Sequence, residues 1–185
     1  MRPFSATLMT GVAAFILSIV LGEPVSASPA FRLTSPVFTQ GGSIPELYTC
    51  DGPGISPPMD WTAPPQGTRS LALVVTDPDA PDPRAPRMTW VHWIIFDLPP
   101  SAGALQEDIK DLPEGAHEGL NSWKRLDYGG PCPPIGRHRY FFSLYALNTV
   151  LSFAKPPDRK TLLAAMQEHV LAETVLMGTY QRESH

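Results

Sequence analysis

The chain has 185 residues, a formal net charge of −4, 43% hydrophobic residues and 22 prolines. The length suits one domain with a hydrophobic core. Mild acidity without a block of Lys or Arg argues against nucleic acid as a partner and gives no support for a general affinity to anionic membranes. Any anion that the protein binds must therefore be held by a local site.

The N-terminal segment has the pattern of a secretory signal peptide. Arg2 gives a positive start, residues 8–21 are uncharged and almost entirely apolar or small, and Val25-Ser26-Ala27 places small residues where a signal peptidase reads them. A membrane anchor is the alternative, but the run is shorter than the ~20 residues of a spanning helix. We expect residues 1–27 to be cleaved and 28–185 to form a single periplasmic or secreted domain without a transmembrane segment.

Apolar and aromatic runs predict the strands. Residues 71–75 are continuously apolar, as in a strand buried on both faces. Residues 90–98 and the aromatic-rich 139–147 predict two more strands, and 31–39 predict a first strand interrupted at Ser35-Pro36. The segments between them are mostly loops rich in proline, glycine or aspartate, over residues 51–65, 77–86 and 99–134.

The hydrophobic period changes near the C-terminus. Pro156-Pro157-Asp158 is a helix start signal with Asp158 as the N-cap. The apolar residues that follow at helical spacing are Leu162, Leu163, Met166 and Val170. Residues 174–180 suit a continuing helix or a last strand, and we favour the strand. The whole pattern predicts a mainly β domain, with two packed antiparallel β-sheets of Greek-key type and a C-terminal helix.

Four residues are candidates for a binding site. Strand alternation places His138 and Tyr140 on one face, about 7 Å apart, whereas His92 lies on another strand. Each histidine taken singly is more often a satisfied core residue, but both lie at strand edges beside Pro-rich loops, where sites are built. Asp77 closes a buried strand, where it either caps a turn or orients a neighbouring histidine. Together these groups suit an oxyanion.

The segment before the third strong strand offers a wall for such a site. Gly129-Gly130 allows backbone close to a ligand, and Pro133 and Pro134 make the wall rigid, which favours binding. An ordinary tight connection is equally consistent with this spacing. Cys50 and Cys132, the only cysteines, suggest a disulfide in an exported protein, with two buried free thiols as the alternative.

Several kinds of catalytic and metal site have no support. The chain has no G-x-S-x-G elbow, HExxH motif or P-loop. Asp77, His92 and His138 are metal-ligand types, but no short-range ligand spacing accompanies them. We therefore expect no catalytic residue, no metal and no cofactor.

Two segments resemble the signatures of the phosphatidylethanolamine-binding protein family. The first is Asp77-Pro78-Asp79-Ala80-Pro81 followed by Trp90-Val91-His92-Trp93, and the second is Gly130-Pro131-Cys132-Pro133-Pro134 leading to Gly136-Arg137-His138-Arg139-Tyr140. The chain is most similar to the bacterial and archaeal Raf-kinase-inhibitor-like branch, which shows similar Thr-Cys-Asp-Gly and Met-Gly-Thr-Tyr segments.

The resemblance implies two antiparallel sheets with a C-terminal helix and a small pocket for phosphate, phosphoethanolamine or similar anions. The pocket residues of the family fall on Asp77, His92, His138 and Tyr140, with Pro133-Pro134 as the wall. The chain departs from the family at Trp90-Val91-His92, where many eukaryotic members carry two adjacent histidines. Family members are known mainly as inhibitors or scaffolds for kinases and proteases, and no residue here names a protein partner.

We therefore expect a non-enzymatic binding protein that holds a small anionic ligand, either phosphate-like or a phospholipid head group, with a possible regulatory role. One alternative is a protein–protein inhibitor of a protease or kinase that uses the Pro-rich loops. Another is a hydrolase with His92 or His138 as base and Asp77 orienting it. The hydrolase lacks a positioned nucleophile other than Cys132, which a disulfide would remove.

Overall fold

The computed structural model of the protein describes residues 30–183, so the predicted signal peptide lies outside the described residues. The strands in chain order are β1 (Leu33–Thr34), β2 (Met59–Trp61), β3 (Ser70–Asp77), β4 (Trp90–Leu98), β5 (Ala104–Leu105), β6 (His117–Glu118), β7 (His138–Leu147) and β8 (Val170–Tyr180). One α-helix, α1 (Arg159–Met166), precedes β8, and short 3₁₀ turns occupy Glu46–Tyr48 and Pro100–Ala102.

The strands form two antiparallel sheets, which confirms the predicted fold class. The small sheet has the order β1-β2-β5 and the large sheet the order β6-β4-β3-β7-β8. The main core contains Leu33 and Met59 from the small sheet together with Trp93 and Phe142 from the large one. Side chains from both sheets thus share one hydrophobic core.

The central strand β3 shows why its sequence is continuously apolar. It pairs with β4 on one side and β7 on the other. Leu71, Leu73 and Val75 belong to the main core, whereas Ala72 and Val74 belong to a second cluster on the opposite face. That cluster includes Leu162 and Met166 of α1. Because both faces of β3 are covered, neither face needs polar residues.

The helix begins where the sequence predicts and ends earlier than its apolar spacing suggests. Asp158 is the N-cap, and its carboxylate accepts a hydrogen bond from Thr161 N at 2.9 Å. Val170, predicted on the helix, is instead the first residue of β8 and pairs with Leu147. The strand alternative for the last segment is therefore confirmed, because β8 pairs with β7 from Val170 to Tyr180.

The first predicted strand is wrong in extent. Only Leu33–Thr34 pairs with β2, and the chain bends from Ser35 onward. Ser35 Oγ donates to Pro58 O at 2.7 Å, and Pro36 has no N–H for a ladder. Within residues 30–183, no helix is long and apolar enough to cross a membrane.

Candidate functional site

A cavity of about 590 Å³ lies at one end of the large sheet. Asp77 is the last residue of β3, and His138 is the first residue of β7. Because β3 runs antiparallel to both of its neighbours, its end lies beside the starts of β4 and β7. Asp77, His92, Pro134 and His138 all line the cavity. The fold thus brings together residues that are up to 61 positions apart.

Asp77 and His138 form a buried hydrogen-bonded pair. His138 Nδ1 lies 2.7 Å from Asp77 Oδ2, and His138 Nε2 lies 3.0 Å from the Ile135 carbonyl oxygen. Both partners are acceptors, so the ring makes both bonds at once only when each nitrogen carries a hydrogen. Asp77 therefore orients a histidine, as the sequence suggests. The His138 ring, however, has no nitrogen left for a ligand.

The turn after β3 is tied to β7 by an ion pair. Asp77 Oδ1 accepts from Asp79 N at 2.8 Å. Asp79 accepts in turn from the backbone N, Nε and Nη2 of Arg139, at 2.9, 2.9 and 2.7 Å. These hydrogen bonds from Arg139 hold the pKa of the Asp79 carboxyl below its usual value. Asp79 thus positions Asp77 and the start of β7 rather than capping a turn alone.

His92 is buried with one ring nitrogen paired and the other unpaired. Its Nδ1 donates to Gly129 O at 2.6 Å, and Gly129 N donates to His92 O at 2.9 Å. Burial is the main cause that lowers the pKa of His92. The neutral ring therefore carries its hydrogen on Nδ1, because a carbonyl only accepts. Its Nε2 is left as an acceptor with no partner among the described residues.

Tyr140 packs against His92, which is a residue of the cavity lining. The two rings meet edge-on with centroids 5.2 Å apart, and Tyr140 is not itself among the residues that line the cavity. Its hydroxyl is buried and without a partner among residues 30–183. Burial, followed by the charge of Asp77, raises the pKa of Tyr140. The hydroxyl therefore keeps its hydrogen and is available as a donor.

The glycines and prolines before β7 differ in role from the sequence expectation. Pro134 lines the cavity, whereas Pro133 is buried outside the lining. A Cβ on Gly129 would clash with the Trp123 ring at 2.2 Å, and one on Gly130 would come within 2.8 Å of Tyr48 O. Packing within the protein thus requires both glycines, and both also line the cavity.

The sequence analysis missed an aromatic and cationic part of the cavity. Trp90 and Trp123 meet edge-on at 5.3 Å, and Trp123 also contacts the His92 ring at 5.3 Å. The Arg125 guanidinium lies 5.8 Å from the Trp123 ring, and Arg125 Nε lies 3.1 Å from Asp127. The side chains of Trp90, Trp123 and Arg125 all line the cavity. Trp123 and Arg125 come from a loop without periodicity, so no local signal pointed to them.

The two cysteines are bonded to each other, which decides between the alternatives left open by the sequence. The Cys50 and Cys132 Cα atoms are 5.3 Å apart, and both residues line the cavity. Bonded in this way, Cys132 is not available as a nucleophile. Within residues 30–183, no group of three or more His, Cys, Asp or Glu side chains is placed to hold a metal ion.

A family model and the sequences of known proteins indicate the same family for this chain. The family model described as phosphatidylethanolamine-binding protein matches residues 34–181. A UPF0098 protein of Methanothermobacter thermautotrophicus is 46% identical over 154 residues, which are 82% of this chain and 99% of the relative. A UPF0098 protein of Chlamydia trachomatis is 40% identical over 156 residues, with 82% and 99% covered.

Solved structures agree with this assignment. A phosphatidylethanolamine-binding protein homologue from Chlamydia trachomatis superimposes with a TM-score of 0.78 at 41% identity, covering 84% of this chain and all of the other. YbcL of Escherichia coli, described as a member of the mammalian family, gives a TM-score of 0.75 at 27% identity, with 83% and 99% covered. The two-sheet fold defines a class of binding proteins. The chain belongs to the phosphatidylethanolamine-binding protein family.

Proposed function

We propose that this protein binds a small phosphate-like anion in the cavity between Asp77, His92 and His138, and that it does so without chemical conversion of the ligand. One observation carries the proposal. Of the three buried side-chain polar atoms without a partner among residues 30–183, two are His92 Nε2 and Tyr140 Oη. Buried polar groups are almost always hydrogen-bonded. One unpartnered atom belongs to a residue of the cavity lining and the other to the ring that packs against it, and this arrangement supports a polar ligand.

The charges around the cavity fit an anion. Arg125, whose Nε lies 3.1 Å from Asp127 Oδ1, supplies a cationic side chain at the lining. The carboxylate of Asp77, which opposes an anion, is engaged by His138 Nδ1 and Asp79 N. The Tyr140 hydroxyl supplies a donor, and hydrogen bonds to charged groups are the stronger ones. Tyr140, which the sequence predicts for the site, and Arg125, which it does not, are therefore the proposed donors, whereas both nitrogens of His138 are engaged.

The geometry also supports binding over hydrolysis. A histidine base must reach the proton that it abstracts, yet His138, the histidine that Asp77 orients, has its Nε2 engaged by the Ile135 carbonyl. His92 keeps an open Nε2, but its Nδ1 is bonded to the Gly129 carbonyl and not to a carboxylate, so the predicted His–Asp pair does not form there. Cys132, the one nucleophile that the sequence suggested, is bonded to Cys50. The Asp77–His138 pair thus resembles part of a catalytic triad in composition but serves to hold the cavity together.

The test is calorimetric titration of wild type and Tyr140→Phe with inorganic phosphate and with phosphoethanolamine. We expect the variant to bind phosphate about 10- to 100-fold more weakly, the usual effect of one hydrogen bond to a charged group. Its folding stability should not fall, because the hydroxyl has no partner to lose. Phosphoethanolamine binding much more tightly than phosphate would show that the cavity also recognises the ethanolamine group.

The matched control is Tyr145→Phe, which makes the same change in the same strand outside the cavity. We expect wild-type affinity from this variant. Equal phosphate affinity in wild type and Tyr140→Phe, or no binding of either anion to wild type, would refute the proposed function.

A further inference from the structure

The hydrogen on the His92 ring is fixed by the backbone. Nδ1 donates to Gly129 O at 2.6 Å, while Gly129 N donates to His92 O at 2.9 Å, so the residue and the glycine bind each other twice. A carbonyl oxygen has no hydrogen to give. The neutral ring must therefore present a bare lone pair at Nε2, and turning the ring over would break the bond to Gly129.

The surroundings of His92 disfavour a second hydrogen on the ring. The side chain is only 2% exposed, and its flanking rings are Trp123 and Tyr140. Asp77 favours a positive charge there and His138 opposes it, and burial outweighs both in lowering the pKa of His92. The nearest carboxylate is already engaged by His138. The ring thus meets a ligand as an acceptor.

The ligand must match an acceptor and a donor. His92 Nε2 needs a hydrogen from the ligand, and the Tyr140 hydroxyl offers one to it. A phosphate group with one P–OH hydrogen provides both a donor and acceptors, whereas sulfate has only acceptors at neutral pH. A sulfate oxygen would face the Nε2 lone pair without a hydrogen between them.

We infer that the cavity selects an oxyanion that carries its own hydrogen, a monoprotonated phosphate group, over an unprotonated anion such as sulfate. This inference rests on the proposed function, and it adds the protonation state of the ligand to it. His92 is then the residue that determines specificity, while Tyr140 and Arg125 bind either anion.

The first test compares inorganic phosphate with sulfate on the wild-type protein by calorimetry at pH 7. We expect phosphate to bind at least about 10-fold more tightly, because an acceptor left facing an acceptor loses a buried hydrogen bond. In the phosphate complex, the ¹⁵N chemical shifts of His92 should remain those of a neutral ring with its hydrogen on Nδ1. Equal affinity for the two anions, or an imidazolium pattern in the complex, would overturn the inference.

The second test uses His92→Gln, whose side-chain amide has both a donor and an acceptor. We expect the ratio of phosphate to sulfate affinity to fall toward one, because the amide N–H bonds to sulfate. An unchanged ratio would show that residues other than His92 discriminate between phosphate and sulfate. Binding of both anions equally by wild type defeats only the selectivity, whereas binding of neither defeats the proposed function as well. The wild-type comparison remains decisive even if the variant does not fold.

Discussion

The four candidate residues divide into two pairs with different tasks. Asp77 and His138 satisfy each other and neighbouring backbone groups. His92 and Tyr140 each retain one buried polar atom that has no partner within the described part of the chain. A buried pair whose hydrogen bonds are all made stabilises the folded protein. A buried polar atom without a hydrogen bond raises the free energy of the folded state until a ligand bonds to it. The first pair therefore supports the site, and the second pair faces the ligand in our proposal.

The supporting role of Asp77 leads to a stability prediction. Asp77→Ala leaves His138 with the Ile135 carbonyl alone and removes the acceptor of Asp79 N. We expect a loss of about 3–5 kcal/mol in the free energy of unfolding, as when one partner of a buried pair is removed. Urea unfolding at pH 7 measures it.

The control for this prediction is Asp82→Ala in the same loop. Asp82 accepts from Arg84 N in an exposed turn at 2.9 Å. Losing such a bond costs about 1 kcal/mol or less. Similar losses in the two variants would show that Asp77 acts only as a turn residue.

At the scale of elements, the site depends on loops that cross over the sheet end. Residues 99–137 connect β4 to β7, and they supply Trp123, Arg125 and the glycines of the lining. The segment around Tyr48 and Thr49 packs against Gly130. The Cys50–Cys132 bond joins these two segments. The wall of the cavity is therefore held by a covalent link between loops and not by the sheet alone.

Removing this link should weaken both fold and site. We expect the double variant Cys50→Ser, Cys132→Ser to lose about 2–4 kcal/mol of unfolding free energy, the usual range for a disulfide that closes a long loop. Its affinity for phosphate should also fall, since both cysteines line the cavity. Urea unfolding and calorimetry measure the two effects. Reductant should lower the stability of wild type and leave the double variant unchanged, and a variant as stable as oxidised wild type would contradict the prediction.

At the scale of the whole molecule, burial of His92 makes stability depend on pH. Its pKa is lowered in the folded state, whereas an unfolded histidine titrates near 6.5. Between the folded pKa and about 6.5, the unfolded chain binds more protons, so the free energy of unfolding decreases as the pH falls. We therefore expect the free energy of unfolding to be independent of His92 protonation above about pH 6.5 and to decrease progressively below that pH.

Urea unfolding at several values between pH 7.5 and 5 measures this loss. His92→Gln should show a weaker dependence on pH over that range, because the variant has no ring to protonate. The control is His169→Gln, which changes an exposed histidine bonded to Asn148 and should keep the wild-type dependence. A wild-type protein whose stability is flat over this range would refute the assignment to His92.

The cellular location concerns the whole molecule as well. We propose that the protein is periplasmic or secreted and is cleaved after Ala27, on the basis of the N-terminal pattern. Mass spectrometry of the exported protein should find Ser28 at its N-terminus. The Cys50–Cys132 disulfide supports this location, because disulfides are typical of oxidising compartments. An intact N-terminus on a cytosolic protein would contradict the proposal.

The sequence by itself determined the local features of the protein. Apolar and aromatic runs identified β3, β4 and β7, the helix start fell on Asp158 as predicted, and two signature segments indicated the family. These features depend on a period or a cap within a few residues. At Val170 the helical spacing gave the wrong prediction, because the pairing of this residue with β7 is a tertiary interaction.

Only the tertiary structure decided which polar atoms are free. His138 was the expected ligand donor, but its nitrogens are engaged by Asp77, 61 residues away, and by Ile135. At this site, the buried polar atoms without a partner among residues 30–183 belong instead to His92 and Tyr140. Hydrogen-bond partners, the disulfide and the place of Trp123 beside the ring all depend on contacts between segments far apart in the chain. Residue types predict what a site contains, whereas the packing of distant segments decides which of its groups remain open to a ligand.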